Sequence, residues 1–147
     1  MRDRTVTWDD PGVSRSVLVT GSTGGLGPAV VAALAAAGWR VVAPGRAEAD
    51  VATAAGAARA VELATADAGA PLRAVANLVG GYADRAPVAT TPVEELERML
   101  ALNLRTTYLV TQAALPALAA AGGGSVVCFS SRAAVHPVAG AAGYAAS

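Results

Sequence analysis

Ser16-Val17-Leu18-Val19 is a short apolar run rich in β-branched residues, the pattern of a strand buried on both faces. A glycine-rich octet follows, Thr20 to Gly27, and behind it the period changes. Leu26, Val30, Leu34 and Ala37 recur at helical spacing and predict one apolar helical face, with Gly38 as the stop. Trp39 to Ala43 reads as a second strand ended by Pro44-Gly45. Ala52 to Ala68 reads as an alanine-rich helix, and Leu72 to Val79 as a further strand closed by Gly80-Gly81.

The next helix carries the clearest start signal. Thr91 is placed to cap, Pro92 to occupy the first helical position and Glu94 to complete a Thr-x-x-Glu capping box. Val93, Leu96, Leu100, Leu104 and Tyr108 predict its apolar stripe, running on to about Ala120 with a bend at Pro116. Gly122-Gly123-Gly124 breaks it. Ser125 to Ser130 is another buried-type strand, followed by a loop through His136-Pro137 and a helix from near Ala141. Strands alternating with helices predict right-handed crossovers and a parallel sheet. Residues 16–147 form one α/β domain on this reading, and residues 1–15, with a turn at Asp9 to Gly12, form a loose lead-in.

Composition narrows the function classes. Eleven basic residues, all arginine, balance 11 acidic ones, so no electrostatic footprint for nucleic acid or an anionic membrane is present. The uncharged runs Ser16 to Trp39 and Thr106 to Ser131 are long enough to span a bilayer. Both change period at glycine-rich turns, however, and read better as strand plus helix. The single cysteine, Cys128, excludes an intrachain disulfide framework and is expected to pack in the sheet core. Without an apolar segment after the charged start, a cytoplasmic location is expected.

The octet Thr-Gly-Ser-Thr-Gly-Gly-Leu-Gly sits between strand and helix, where absent side chains let backbone N–H groups approach a pyrophosphate. The bland alternative is a tight connection that merely needs glycine. Gly21, Gly25 and Gly27 give Gly-x3-Gly-x-Gly, which resembles the turn of the short-chain dehydrogenase/reductase family. Gly21, Gly24 and Gly27 also fit Gly-x-x-Gly-x-x-Gly, the pattern of that family's extended branch. Later residues favour the short, single-domain branch. Asn77-Leu78-Val79-Gly80 resembles its Asn-Asn-Ala-Gly element, Asn103 falls mid-helix, and Ser131 precedes Tyr144-Ala145-Ala146-Ser147 by 13 residues, like its serine and Tyr-x-Ala-Ser motif.

The resemblance covers Ser16 to Ser147 and implies a Rossmann-like doubly wound parallel sheet, here truncated after the family's fifth strand and the start of the next helix. It implies NAD(P)-dependent carbonyl reductase or alcohol dehydrogenase chemistry on a small molecule. Tyr144 would act as general acid/base, Ser131 would orient the substrate oxygen, and Asn103 would support the proton relay. Gly21, Ser22, Thr23, Gly25, Leu26, Gly27, Arg46, Asp50, Val51, Asn77, Val79 and Gly80 would hold the cofactor. Arg46 stands near the place where NAD-preferring members carry an acidic residue, so NADP(H) is expected over NAD(H). Asp50-Val51 follows so soon that the family's intervening helix and third strand have little room. Metal is not expected; a homodimer or homotetramer is, for the intact protein.

Each of these residues taken singly has an ordinary reading, as a satisfied mid-helix amide or a surface hydroxyl. His136, between Val135 and Pro137, reads as a loop residue near the substrate mouth rather than a base. The family's lysine would stand four positions after Tyr144, just past Ser147, and no lysine occurs among the 147 residues. A tyrosine needs such a cation to bring its pKa down from about 10. The expectation is therefore the amino-terminal part of a longer enzyme. A non-catalytic NADP(H)-binding module or vestigial fragment is the alternative.

Overall fold

The computed structural model describes residues 14–83, 86–136 and 138–147. Most of the expected lead-in, with its Asp9 to Gly12 turn, lies outside the described residues, as do Pro137 and part of the Gly81 to Pro87 loop. The strands are β1 (Ser16–Thr20), β2 (Arg40–Val42), β3 (Leu72–Asn77) and β4 (Ser125–Cys128). The helices are α1 (Gly27–Ala36), α2 (Ala54–Thr65), α3 (Val93–Met99), α4 (Thr106–Ala120) and α5 (Ala142–Ala146).

All pairings are parallel, in the order β2-β1-β3-β4. β1 lies between two neighbours and is buried along its whole length. Because strand side chains alternate, its residues feed two cores. Leu18 packs with Val75 of β3, with Ala57, Ala60, Val61 and Ala64 of α2, and with Val110, Ala114 and Leu118 of α4. Val17 and Val19 pack on the other face with Val30, Val31 and Leu34 of α1 and with Trp39. The result is the doubly wound α/β arrangement expected, in which α2 follows directly on β2 with no strand between. Among the described residues no helix is long and apolar enough to cross a membrane.

Several expectations need correction. Leu26 precedes α1 and is exposed, so the inward face of that helix is Val30, Val31 and Leu34. The Thr91–Glu94 capping box does not form. The Thr91 hydroxyl donates backwards to the carbonyls of Ala86 (2.9 Å) and Pro87 (3.0 Å), and α3 starts without a side-chain cap. Of the expected stripe, Val93, Leu96, Leu104 and Tyr108 are exposed and Leu100 is half-buried, and the buried positions are Met99, Thr106, Val110, Ala114 and Leu118. Opposite them α2 presents the small side chains of Ala57, Ala60 and Ala64. Cys128 is exposed rather than core, since β4 has β3 on one side and, among the described residues, no strand on the other.

A further feature escaped the sequence. Between α3 and α4 the helix widens into a π-type stretch over Leu100–Arg105, with Asn103 inside it. Two threonine hydroxyls serve its carbonyls: Thr106 Oγ1 donates to Leu102 O (2.6 Å) and Thr107 Oγ1 to Asn103 O (2.9 Å). Such widenings are frequent at functional sites. α4 continues through Pro116 to Ala120.

Candidate active site

The turn after β1 is compact because two of its glycines have no room for a side chain. Gly21 has φ +71°, and a Cβ there would stand 2.8 Å from the Leu78–Val79 backbone. A Cβ on Gly27 would collide with the Ser22 carbonyl. These residues press the turn against the end of β3 and the start of α1. The bonds Gly24 N–H to Gly21 O (3.0 Å) and Gly27 N–H to Gly24 O (3.2 Å) close it. Gly25 differs, with open space where its side chain would be. No side chain caps α1, so the N-terminus of a ten-residue helix faces outward beside exposed glycine backbone, a setting suited to a phosphate.

A cavity of about 580 Å³ opens above this turn. Thr20 to Gly24 form one wall, Pro44 to Arg46 and Ala49 to Ala52 another, Leu78 to Gly80 the floor, and Arg98, Ala101, Leu102 and Thr106 the far side. Arg46 is largely exposed and lies 3.8 Å from Asp50. Arg98 is held by Glu95 through two bonds of 3.0 and 2.7 Å, and this hydrogen bonding raises its pKa above the ordinary arginine value.

A second cavity, about 490 Å³, adjoins the first. Leu78, Val79 and Gly80 line both, so the two lie side by side along the end of β3. Around the second stand Asn77, Tyr82, Asn103, Cys128, Ser131, Tyr144 and Ser147. Tyr144 is half-buried on α5, its ring edge-to-face with Tyr82 at 4.8 Å between centroids. Ser131 opens a short 3₁₀ turn, its Oγ accepting from Ala133 N–H (3.2 Å), which leaves the hydroxyl proton available to a ligand.

The Asn103 side chain is committed within the protein. Its Oδ1 accepts from Gly81 N–H (2.7 Å), and its Nδ2 donates to Gly81 O (3.1 Å) and to Ser147 Oγ (2.8 Å). Asn77, only 4% exposed, donates to Thr111 Oγ1 (3.2 Å), while its buried Oδ1 has no partner among the described residues.

The structure thus brings Gly21, Ser22, Thr23, Arg46, Asp50, Val51, Val79 and Gly80 to the larger cavity. Asn77, Asn103, Ser131 and Tyr144 border the smaller one. Gly25, Leu26 and Gly27 line neither, and Gly27 acts through packing. His136 is exposed and also lines neither. Arg98, Ala101, Leu102 and Thr106 were not foreseen, since only the crossing of the long helix over β3 brings them in. Together the backbone cradle, uncapped helix and guanidinium fit a dinucleotide.

A family model described as short chain dehydrogenase matches residues 46–147. Among solved structures, a short-chain type dehydrogenase/reductase from Mycobacterium ulcerans is 29% identical with a TM-score of 0.81, matching over 90% of this chain and 56% of its own. Serine dehydrogenase from Escherichia coli is 25% identical, with TM-score 0.78 over 88% of this chain and 68% of its own. ElxO with NADP bound superposes with TM-score 0.82 over 90% of this chain and 62% of its own, at 18% identity, a likeness of fold alone. The chain thus spans 56% of the length of the Mycobacterium ulcerans protein and 62% of that of ElxO. No curated protein sequence matches it. With the family model covering well over half its length, the chain belongs to the short-chain dehydrogenase family.

Proposed function

We propose that the chain carries the cofactor cradle and acid/base group of an NADP(H)-dependent oxidoreductase acting on a small carbonyl compound or the matching alcohol. The adjacency of the two cavities at Leu78, Val79 and Gly80 supports this reading. It sets Arg46 and the glycine turn on one side of the end of β3 and the phenol of Tyr144 on the other, as one extended ligand lying along that strand end would need. When bound, the nicotinamide nucleotide supplies or accepts the hydride. The chain's own groups do the rest. The amides of the glycine turn and the α1 N-terminus receive the diphosphate, and Arg46 pairs with the 2′-phosphate. Ser131 donates its free hydroxyl proton to the substrate oxygen, and Tyr144 exchanges a proton with that same oxygen. Asn103 braces the wall between them.

The test is calorimetry of the intact protein with NADPH and NADH, beside turnover against a panel of aldehydes and ketones. NADPH should bind more tightly, and Tyr144→Phe should abolish turnover while leaving binding in place. Equal binding of both nucleotides would overturn the cofactor assignment, and full activity in Tyr144→Phe the acid/base assignment. A second reading, binding without turnover, is favoured for the 147-residue chain by one observation. Among the described residues no cationic side chain lines the cavity around Tyr144.

A further inference from the structure

No residue of α5 is fully buried, Tyr144 included, so contacts from other segments help to fix the direction of the phenol. Two contacts steady the first turn of the helix. Gly143 lies against α3, where an added Cβ would stand 3.3 Å from Leu96 Cα, and the Tyr82 ring meets the Tyr144 ring. Ser147, three residues after Tyr144, is held differently. Ser147 Oγ donates to Tyr144 O (3.0 Å) and accepts from Asn103 Nδ2 (2.8 Å). Asn103 in turn grips both backbone groups of Gly81, where β3 leads into the loop carrying Tyr82.

We infer that Ser147 is a positioning residue for the reaction: its hydroxyl ties the Tyr144 helix to Asn103, and through Asn103 to Gly81. The inference rests on the proposed acid/base role of Tyr144. Both hydrogen-bonding capacities of the hydroxyl are used, one toward each side of the joint, so alanine removes the tie while threonine restores both bonds. The π stretch puts the Asn103 amide where it reaches Gly81 and Ser147 together. Three segments distant in sequence are therefore registered at one amide. Misplacing a catalytic group by about 1 Å costs up to roughly a hundredfold in rate, which sets the scale for losing one such tie.

The experiment uses the intact enzyme with NADPH and whichever aldehyde or ketone of the panel supports its oxidation. Ser147→Ala should lower kcat by about tenfold while leaving the NADPH dissociation constant unchanged, because the tie lies away from the phosphate cradle. Ser147→Thr should recover most of the loss. In the double variant Asn103→Ala/Ser147→Ala, the second substitution should add little to the first. Unchanged kcat in Ser147→Ala, no recovery in Ser147→Thr, or fully additive losses would each overturn the inference. Amide hydrogen exchange without substrate supplies a readout independent of turnover. Exchange at Gly81 and across α5 should accelerate in Ser147→Ala and return toward normal in Ser147→Thr. An intact protein without turnover refutes the proposed function, whereas unchanged exchange refutes the tie.

Discussion

Asn103 holds Gly81 by both of its backbone groups, accepting from the N–H at 2.7 Å and donating to the carbonyl at 3.1 Å. A side-chain amide used this way replaces the ladder partner that the backbone lacks once β3 has ended at Asn77. Replacing Asn103 by leucine keeps the bulk but orphans the Gly81 N–H. The expected cost is about 1 kcal/mol, near the low end for such a group because Gly81 is only half-buried. Gly81→Ala should cost less. The added methyl meets the Leu102 Cδ2 tip at 2.6 Å, the end of a side chain able to turn away. Urea unfolding of the two variants orders them.

The glycines of the first turn should separate into two kinds. Gly21→Ala forces a side chain into a left-handed conformation and against the Leu78–Val79 backbone, and should cost more than about 2 kcal/mol. Gly25→Ala meets open space and should leave the unfolding midpoint almost unchanged, within about 0.5 kcal/mol. Thermal unfolding without ligand shows the contrast. NADPH titration of Gly25→Ala then asks whether that backbone must be bare for binding.

Arg46 should matter for ligand choice and not for folding. Its contact with Asp50 is long, at 3.8 Å, and both side chains are well exposed, so Arg46→Ala should leave stability within about 0.5 kcal/mol of the parent. Loss of a charge-assisted bond to a 2′-phosphate should weaken NADPH binding about tenfold and leave NADH binding unchanged. Calorimetry with both nucleotides measures this directly.

Val127 of β4 and Phe129 just after it are 48% and 53% exposed, beside an edge that no strand covers among the described residues. Open apolar edges pair with other chains. The 147-residue chain alone should therefore elute from size-exclusion above its monomer mass. Val127→Lys/Phe129→Lys should move it toward the monomer.

Much of the architecture was legible along the chain because its signals are local. A turn that must adopt φ +71° and lie 2.8 Å from a neighbouring backbone requires glycine, and Gly21 announces it. Strands buried on both faces read as continuous apolar runs, so β1 and β3 were found within a residue or two of their true bounds. The spacing of Ser131 and Tyr144 is likewise written in order.

What the tertiary structure decided was which of several equivalent local options is used. The long helix is apolar around most of its circumference, and hydrophobicity alone favoured Val93, Leu96, Leu100, Leu104 and Tyr108. Contact with α2 selected Val110, Ala114 and Leu118 instead, where the small side chains of Ala57, Ala60 and Ala64 leave room for them. Thr91 could accept from an N–H in the first turn of α3 or donate to the loop beginning at Ala86, and the fold uses the second. The π stretch has no local signature, since it rests on partners for Asn103 that lie 22 and 44 residues away. Sequence alone determines the glycine turn and the alternation of strand and helix, because single residues and short periods enforce them. The meeting of two cavities at Leu78 to Gly80 as shared lining, and the grip of Asn103 on Gly81 and Ser147, exist only once distant segments come together.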